Sequence, residues 1–153
     1  MTKILYVCLG NICRSPLAEA IMKKMISEAG LNDQFEVDSC GTSDYHIGEL
    51  PDARTMDNAR AQGVEIKHRG RQLMPRDFEY FDYLLVMDDQ NFANAERVQP
   101  AGSKGQLMKL RDFDTEDRGA DVPDPYYGGP EGFQLVFDLL MRSNAHFLKY
   151  LQK

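Results

Sequence analysis

The chain contains 153 residues, of which 42% are hydrophobic and 27% are charged. We interpret it as one domain over residues 1–153, with the composition of a globular protein rather than a disordered or collagen-like one. Its 24 acidic residues outnumber 18 basic ones and give a net charge of −6. We therefore expect no nucleic acid partner, because proteins that bind phosphate backbones usually carry the opposite charge.

Three cysteines, Cys8, Cys13 and Cys40, form no spaced disulfide framework. Free thiols are typical of a reducing compartment, so we expect a cytoplasmic protein. The apolar run near the N-terminus is interrupted by Asn11 and Arg14 after about six residues, which is short for a secretory signal. No stretch approaches the roughly 18 apolar residues of a membrane-spanning helix, so we also expect no membrane partner.

Strands and helices alternate in the predicted elements. A buried strand over 3–8 leads into a loop and then a helix, with Ser15 as its N-cap, Pro16 as its first residue and Gly30 just beyond its end. The further predicted strands cover 35–39, 82–88 and 106–110, and the further helices cover 52–62, 91–97 and 133–151. The segment 111–132 is rich in Asp, Gly and Pro, which predicts a long functional loop.

This order of elements predicts the fold class. We expect a single α/β domain whose four-stranded, mostly parallel sheet is flanked by helices on both faces. Ligands of such folds bind at the carboxyl ends of the strands. A phosphate-binding loop is therefore expected between the first strand and the first helix.

The pattern Cys8-x5-Arg14-Ser15 lies at that position. A loop that enters a helix directs backbone N–H groups and the positive end of the helix dipole to one point, where they bind phosphate oxygens. Arg14 adds a planar donor fork, and the same positive environment stabilises a Cys8 thiolate to which Ser15 can donate. The alternative is that Cys8 is a small core residue and Arg14 is solvated. The strand, turn and helix context favours a nucleophile in an anion site.

A nucleophile and an anion site at one point meet the requirements for phosphoryl transfer through a cysteinyl-phosphate. A phosphatase also needs an acid for the leaving oxygen. Asp124 is the best candidate, because it lies between two prolines in Asp121-Val122-Pro123-Asp124-Pro125 and is restrained by them. The neighbouring Tyr126 and Tyr127 can line a cleft for an aromatic ring. Taken alone, the segment would be an ordinary acidic turn.

Cys8-Leu9-Gly10-Asn11-Ile12-Cys13-Arg14-Ser15-Pro16 and Asp124-Pro125-Tyr126-Tyr127 together resemble the low-molecular-weight protein tyrosine phosphatases. The resemblance follows the whole chain in order, and segments 38–42, 68–73 and 81–88 are also similar to signatures of that family. It implies hydrolysis of phosphotyrosine in proteins through a cysteinyl-phosphate, with no cofactor and no metal.

The resemblance also implies residue roles. Cys8 would be the nucleophile, Arg14 the phosphate clamp, and Asp124 the general acid and later the base. Phosphate or another oxyanion would lie on Leu9, Gly10, Asn11, Ile12, Cys13, Arg14 and Ser15. The loop would be supported by Asn11, Ser15, Ser39 and His68, and the substrate cleft would be lined by Leu9, Tyr45, Tyr126 and Tyr127. Family members often carry Trp near the position of Tyr45.

Cys13 is a separate hypothesis. The resemblance implies that it forms a reversible disulfide with Cys8 after oxidation, which agrees with the sensitivity of exposed thiolates to peroxide. The alternative is that Cys13 only packs beneath the loop. Cys40 stands where the family commonly has Ala, and we interpret it as a small core residue.

Four other functions compete with that of a tyrosine phosphatase. An arsenate reductase needs additional cysteines, and segment 78–90 contains none. A protein arginine phosphatase usually carries Thr at the position of Ile12. A phosphocarrier would not require Arg14 together with Asp124, and a non-catalytic phosphate-binding adaptor would not need Cys8 beside them. The sequence therefore favours a tyrosine phosphatase.

Overall fold

A computed structural model describes all residues, 1–153. Its strands are β1 (Thr2–Cys8), β2 (Phe35–Gly41), β3 (Tyr83–Val86) and β4 (Gln106–Lys109). Its α-helices are α1 (Arg14–Glu28), α2 (Ala53–Ala61), α3 (Asp77–Tyr80), α4 (Asp89–Glu96) and α5 (Pro130–Leu151), and a 3-10 turn covers Leu110–Phe113. None of the helices has the length and apolarity needed to cross a membrane.

The four strands form one parallel sheet in the order β2-β1-β3-β4. Alternate residues of β1 point to opposite faces, as the period of a strand requires. Ile4, Tyr6 and Cys8 pack with α1, α2 and α5 in the larger core cluster, whereas Leu5 and Val7 pack with α3 and α4. The predicted α/β domain with helices on both faces is confirmed, and Cys8 lies at the carboxyl end of a central strand.

The structure corrects the predicted start of α1. The helix begins at Arg14, and Ser15 is therefore its second residue rather than its N-cap; Cys13 is the residue before the helix, and it makes no side-chain capping bond. The Ser15 hydroxyl faces the loop between β1 and α1 instead of the helix end. Pro16 still lies in the first turn, where no backbone N–H is needed.

Other boundaries differ by a few residues. Strand β2 continues to Gly41 and α4 begins at Asp89, while β3 is shorter than predicted. The long segment 111–132 is not wholly irregular, because a 3-10 turn occupies its beginning and α5 starts at Pro130. Helix α3 was missed, since four residues are too few to show a helical period.

Candidate active site

The loop 9–13 joins β1 to α1 and contains the one non-glycine residue with a positive φ, Asn11 at 57°. Left-handed backbone is unfavourable for most L-residues, although Asn adopts it more readily than others. Asn11 is buried, with 1% of its surface exposed. The surrounding contacts therefore have to hold this turn in place.

The Asn11 side chain supplies those contacts. Its amide nitrogen donates to Ser15 Oγ at 2.8 Å and to Ser39 Oγ at 3.1 Å. Its Oδ1 lies 2.7 Å from His68 Nε2 and accepts from the Arg71 backbone N–H at 3.0 Å. The structure thus brings together all four residues that the sequence analysis assigned to loop support, Asn11, Ser15, Ser39 and His68.

Gly41 allows the loop to lie directly against the end of β2. A Cβ atom at this position would sit 2.7 Å from the Leu9 carbonyl oxygen and 3.1 Å from the Asn11 nitrogen. Neither backbone atom can move without displacing the loop. Gly41 is paired with Cys8 in the sheet register, so the strand that neighbours the cysteine must end in glycine.

The Cys8 sulfur lies within reach of two donors. Ser15 Oγ is 3.0 Å from Sγ, and the Asn11 backbone N–H donates to Sγ at 3.3 Å. Ser15 Oγ also lies 3.2 Å from the Cys40 carbonyl oxygen, but it has only one hydrogen to give. A thiolate at Cys8 is the stronger acceptor, and both donors then stabilise the anion.

Arg14 is held almost entirely out of water, with 2% of its side chain exposed. Its Nη1 donates to Asp88 Oδ2 at 2.6 Å and to the Val122 carbonyl oxygen at 3.0 Å. Burial on its own would lower the pKa of Arg14, but the Cys8 sulfur and the Asp88 carboxylate outweigh it and raise that pKa. The guanidinium is thus a permanent cation with a restricted orientation beside the cysteine.

Several loop amides remain available to an oxyanion. The backbone N–H groups of Leu9, Gly10, Ile12 and Cys13 donate to no acceptor within the protein. Buried backbone donors are normally paired. Unpaired amides at the N-terminus of α1, together with the Arg14 guanidinium, match the non-bridging oxygens of a phosphate.

His68 connects the loop to α1. Because Asn11 Oδ1 can only accept, the His68 Nε2 must carry a proton, and its Nδ1 lies 3.2 Å from Glu19 Oε1. Burial lowers the pKa of His68, and the neighbouring carboxylates of Glu19 and Asp38 oppose this only in part. Glu19 also accepts from Ser39 Oγ at 2.7 Å. These contacts make His68 a supporting residue of the loop rather than a base within the cleft.

Glu19, Asp38 and His68 also form a group whose possible ligand atoms lie within 4.8 Å of one another, although their spacing along the chain suggested no metal site. Lys23 and Arg71 already neutralise the two carboxylates at 2.6 and 3.0 Å.

Asp124 lies opposite the loop, on the segment between the 3-10 turn and α5. Its Oδ2 is 3.6 Å from Arg14 Nη2, and 39% of its side chain is exposed. Its Oδ1 accepts from the Tyr126 backbone N–H at 3.0 Å. The fully buried Val122 fixes the start of this segment, because its N–H donates to Met87 at 2.7 Å.

Cys8, Arg14 and Asp124 border a single cleft of about 270 Å³. Its walls come from the loop and from two other segments, and they include Leu9, Ile12, Tyr45, His46, Tyr126 and Tyr127. The rings of Tyr126 and Tyr127 pack edge to face with centroids 5.0 Å apart. The four residues that the sequence analysis assigned to the substrate cleft all lie here, and a phenyl ring can pack between these walls.

The other two cysteines differ in position. Cys13 borders the same cleft as Cys8, and burial raises the pKa of its thiol to about 12. Cys40 is fully buried in the opposite core cluster, in agreement with the prediction of a small core residue. All three cysteines are free thiols.

Sequence reasoning missed four residues of the site, namely Glu19, His46, Arg54 and Asp88. Glu19 and Asp88 are buried or half-buried carboxylates that lie against His68 and Arg14. The only available signal was an acidic residue within an apolar helix face and another at the end of a predicted buried strand. His46 borders the cleft, and Arg54 donates to the carbonyl of Tyr126.

This site is that of a cysteine-dependent phosphatase. It combines a cysteine sulfur, a buried guanidinium and unpaired amides at a helix N-terminus, and a carboxylate lies opposite them. The model of one family, described as low molecular weight phosphotyrosine protein phosphatase, matches residues 3–153. A protein of that description from Schizosaccharomyces pombe is 42% identical over 153 residues, covering 97% of this chain and 98% of the relative. The chain therefore belongs to the low-molecular-weight phosphotyrosine protein phosphatase family.

Two solved structures are similar over nearly the whole chain. A protein tyrosine phosphatase from Entamoeba histolytica, with Hepes in its active site, has a TM-score of 0.95 and 39% identity, covering 99% of this chain and 97% of that one. The Drosophila arginine phosphatase DARP has a TM-score of 0.94 and 29% identity, covering 99% of both chains. The fold is thus shared by one protein named a tyrosine phosphatase and another named an arginine phosphatase.

Proposed function

We propose that the chain hydrolyses phosphotyrosine in proteins through a cysteinyl-phosphate intermediate, with Cys8 as nucleophile, Arg14 as phosphate clamp and Asp124 as general acid and base. The observation that carries this proposal is the meeting of these three side chains in one aromatic-walled cleft. Membership of a phosphatase family supports it.

The first step transfers the phosphoryl group to the enzyme. The Cys8 thiolate attacks phosphorus while the loop amides and Arg14 bind the equatorial oxygens, where charge develops. The bond from phosphorus to the tyrosine oxygen breaks as the S–P bond forms. Asp124 gives its proton to the leaving phenolate, which becomes the tyrosine hydroxyl.

The second step releases phosphate. The Asp124 carboxylate formed in the first step removes a proton from water, and the oxygen of that water attacks the phosphorus. The S–P bond breaks, and the Cys8 thiolate is restored under stabilisation by Ser15 and the Asn11 amide. Inorganic phosphate leaves from the same amides that bound the substrate.

The substrate is a phosphotyrosine rather than a phosphoarginine because apolar and aromatic groups surround the nucleophile. Ile12 borders the cleft, whereas a protein arginine phosphatase usually carries Thr at this position. Tyr45, Tyr126 and Tyr127 present ring faces and edges that suit an aromatic ester. A tyrosine-phosphorylated protein can reach this cleft because 93% of Tyr127 and 69% of Tyr45 are exposed.

Phosphate release from matched phosphotyrosine, phosphoserine and phosphoarginine peptides tests the proposal. We expect turnover of the phosphotyrosine peptide by the reduced protein and none by the Cys8→Ser variant. Preference for phosphoarginine would show that the roles of Ile12 and the tyrosine walls were misjudged. Binding of phosphate without turnover of any peptide would favour the carrier or the adaptor.

We also propose that Cys13 is the redox partner of Cys8. Peroxide oxidises the Cys8 thiolate to a sulfenic acid, and the neighbouring Cys13 thiol displaces its hydroxyl as water to form a disulfide. Since burial raises the pKa of Cys13 to about 12, Cys8 is the first target. A Cys8–Cys13 peptide should appear by mass spectrometry after mild peroxide in wild type and Cys40→Ala but be absent from Cys13→Ser.

Three free thiols also support a cytoplasmic location.

A further inference from the structure

The segment that carries the proposed acid, Asp124, is fixed at its upstream end by hydrogen bonds to buried groups. Upstream of Asp124, the Arg111 guanidinium donates to the Asp121 carbonyl oxygen at 2.7 Å. The Val122 N–H donates to the Met87 carbonyl oxygen, and the Val122 carbonyl oxygen accepts from Arg14. These contacts end at Val122. Residues 123–128 are mostly exposed, apart from Pro125, which is buried.

Only one hydrogen bond joins residues 123–128 to a distant part of the chain. The Arg54 Nη2 donates to the Tyr126 carbonyl oxygen at 3.0 Å. The remaining hydrogen bonds of this stretch are internal: Tyr126 N–H to Asp124, and Gly128 N–H to Pro125. The ion pair between Asp124 and Arg14 is long, at 3.6 Å. Arg54 is therefore the principal polar restraint on the downstream half of the acid segment.

Arg54 is itself oriented for this contact. Its Nε and Nη2 donate to the two carboxylate oxygens of Asp52 at 3.0 and 2.8 Å, and Asp52 is the N-cap of α2. The guanidinium lies over the rings of Tyr126 and Phe133, with centroid distances of 5.4 and 4.7 Å. One side chain thus joins the start of α2, the acid segment and the first turn of α5.

We infer that Arg54 is a positioning residue that holds Asp124 within the cleft, at the distance from the leaving oxygen that proton donation requires. This inference rests on the proposed function, because it assumes that Asp124 is the general acid. The carboxylate of Asp124 and the carbonyl of Tyr126 lie two residues apart and are joined by the internal hydrogen bond at 3.0 Å. Restraining the carbonyl therefore restrains the acid. Arg54 does not border the cleft itself, so it acts through the segment and not on the phosphate.

The dependence of turnover on the leaving group tests this inference. In Arg54→Ala, we expect kcat/KM for phenyl phosphate to fall at least about tenfold, because a misplacement of about 1 Å can lower a rate about 10²-fold. The kcat/KM for p-nitrophenyl phosphate should change less than about threefold, since kcat/KM reports the phosphoryl-transfer step and this leaving group needs little protonation. Arg54→Lys keeps the charge but lacks the planar fork, and it should recover only part of the rate.

Arg60 supplies a matched control, because it lies on the same helix and forms an ion pair with the exposed Asp57 at 3.2 Å. We expect Arg60→Ala to hydrolyse both esters at the wild-type rate. In the Asp124→Ala background, Arg54→Ala should cause little additional loss, because its effect passes through the acid. Thermal melting should show that all these variants are folded, since Arg54 is exposed.

Two results would overturn the inference while leaving the proposed function intact. Equal losses with both esters in Arg54→Ala, restored by Arg54→Lys, would mean that Arg54 acts only as a charge attracting the anion. Full additivity with Asp124→Ala would mean that it acts independently of the acid. If Asp124→Ala itself lost both activities equally, the acid assignment would fail, and the inference would fail with it.

Discussion

Asn11 combines a left-handed backbone conformation with a side chain that contacts Ser15, Ser39, His68 and Arg71. Two substitutions separate these contributions. Asn11→Gly removes the side-chain contacts but adopts a positive φ without strain, whereas Asn11→Ala removes the contacts and adds strain.

We expect both Asn11 variants to lose phosphate affinity, because the amides of the loop are then no longer held in place. Asn11→Ala should also be less stable than Asn11→Gly by about 1 kcal/mol, the lower end of the range for a strained backbone position. Calorimetric titration with phosphate and urea unfolding measure the two effects. Wild-type phosphate affinity in Asn11→Gly would show that backbone conformation alone maintains the loop.

The residues of the phosphate-binding loop were predictable because they are local. Cys8, Arg14 and Ser15 lie within eight residues, between a strand and a helix, and the chemistry of such a junction can be derived from its residue types. The partners of these residues were not predictable in the same way. Asp88 meets Arg14 from 74 positions away, and Arg54 meets Tyr126 from 72 positions away. No local pattern records these long-range contacts.

Among the secondary-structure elements, the position of α4 depends on a residue that also serves the active site. Asp88 is the N-cap of α4, with Oδ1 accepting from the Asn91 N–H at 2.7 Å, and its Oδ2 accepts from Arg14 at 2.6 Å. Each oxygen therefore has a separate function, and substitutions can distinguish them.

Asp88→Ser should retain the helix cap while losing the bond to Arg14, whereas Asp88→Ala should lose both. We expect both variants to lose at least about tenfold in kcat/KM, because the orientation of Arg14 relaxes. Asp88→Ala should be less stable than Asp88→Ser by about 1 kcal/mol, the usual contribution of an N-cap side chain. Thermal melting and turnover of p-nitrophenyl phosphate provide the two measurements. Equal stability of the two variants would contradict the capping role.

The elements were predicted well where the hydrophobic period was long and poorly where it was short. Strand β1 and helix α5 extend over 7 and 22 residues, and their patterns predicted both. The four-residue α3 and the 3-10 turn at Leu110–Phe113 carry no such pattern. The start of α1 was misplaced because Ser-Pro usually marks a helix start, whereas here the Ser15 hydroxyl bonds within the catalytic loop.

Across the whole molecule, a buried charged group connects the middle of α5 to the acid segment. Asp114 is fully buried and accepts from Arg142 at 2.8 and 2.9 Å and from Arg111 at 2.9 Å. Arg111 in turn donates to the Asp121 carbonyl oxygen. The hydrogen bonds from Arg142, aided by those from the Glu116 N–H and Arg111, hold the pKa of Asp114 well below its usual value despite burial.

This lowered pKa predicts how stability depends on pH. A carboxyl group whose pKa is lower in the folded than in the unfolded chain stabilises the fold above its unfolded pKa of about 3.9, and this stabilisation declines as the pH falls further. At pH 7, Asp114→Asn should lower the free energy of unfolding by about 3 kcal/mol, the lower end of the range for breaking a buried pair, because Arg142 remains partly exposed. Urea unfolding at pH 7, 5 and 3 should show that the difference in unfolding free energy between wild type and Asp114→Asn is the same at pH 7 and 5 and smaller at pH 3.

Asp117→Asn is the control: its exposed carboxylate lies 3.7 Å from Arg111, and we expect a loss below about 1 kcal/mol. A wild-type advantage over Asp114→Asn that stays constant down to pH 3 would contradict the lowered pKa of Asp114, because the stabilisation would then not depend on ionisation of the carboxyl group.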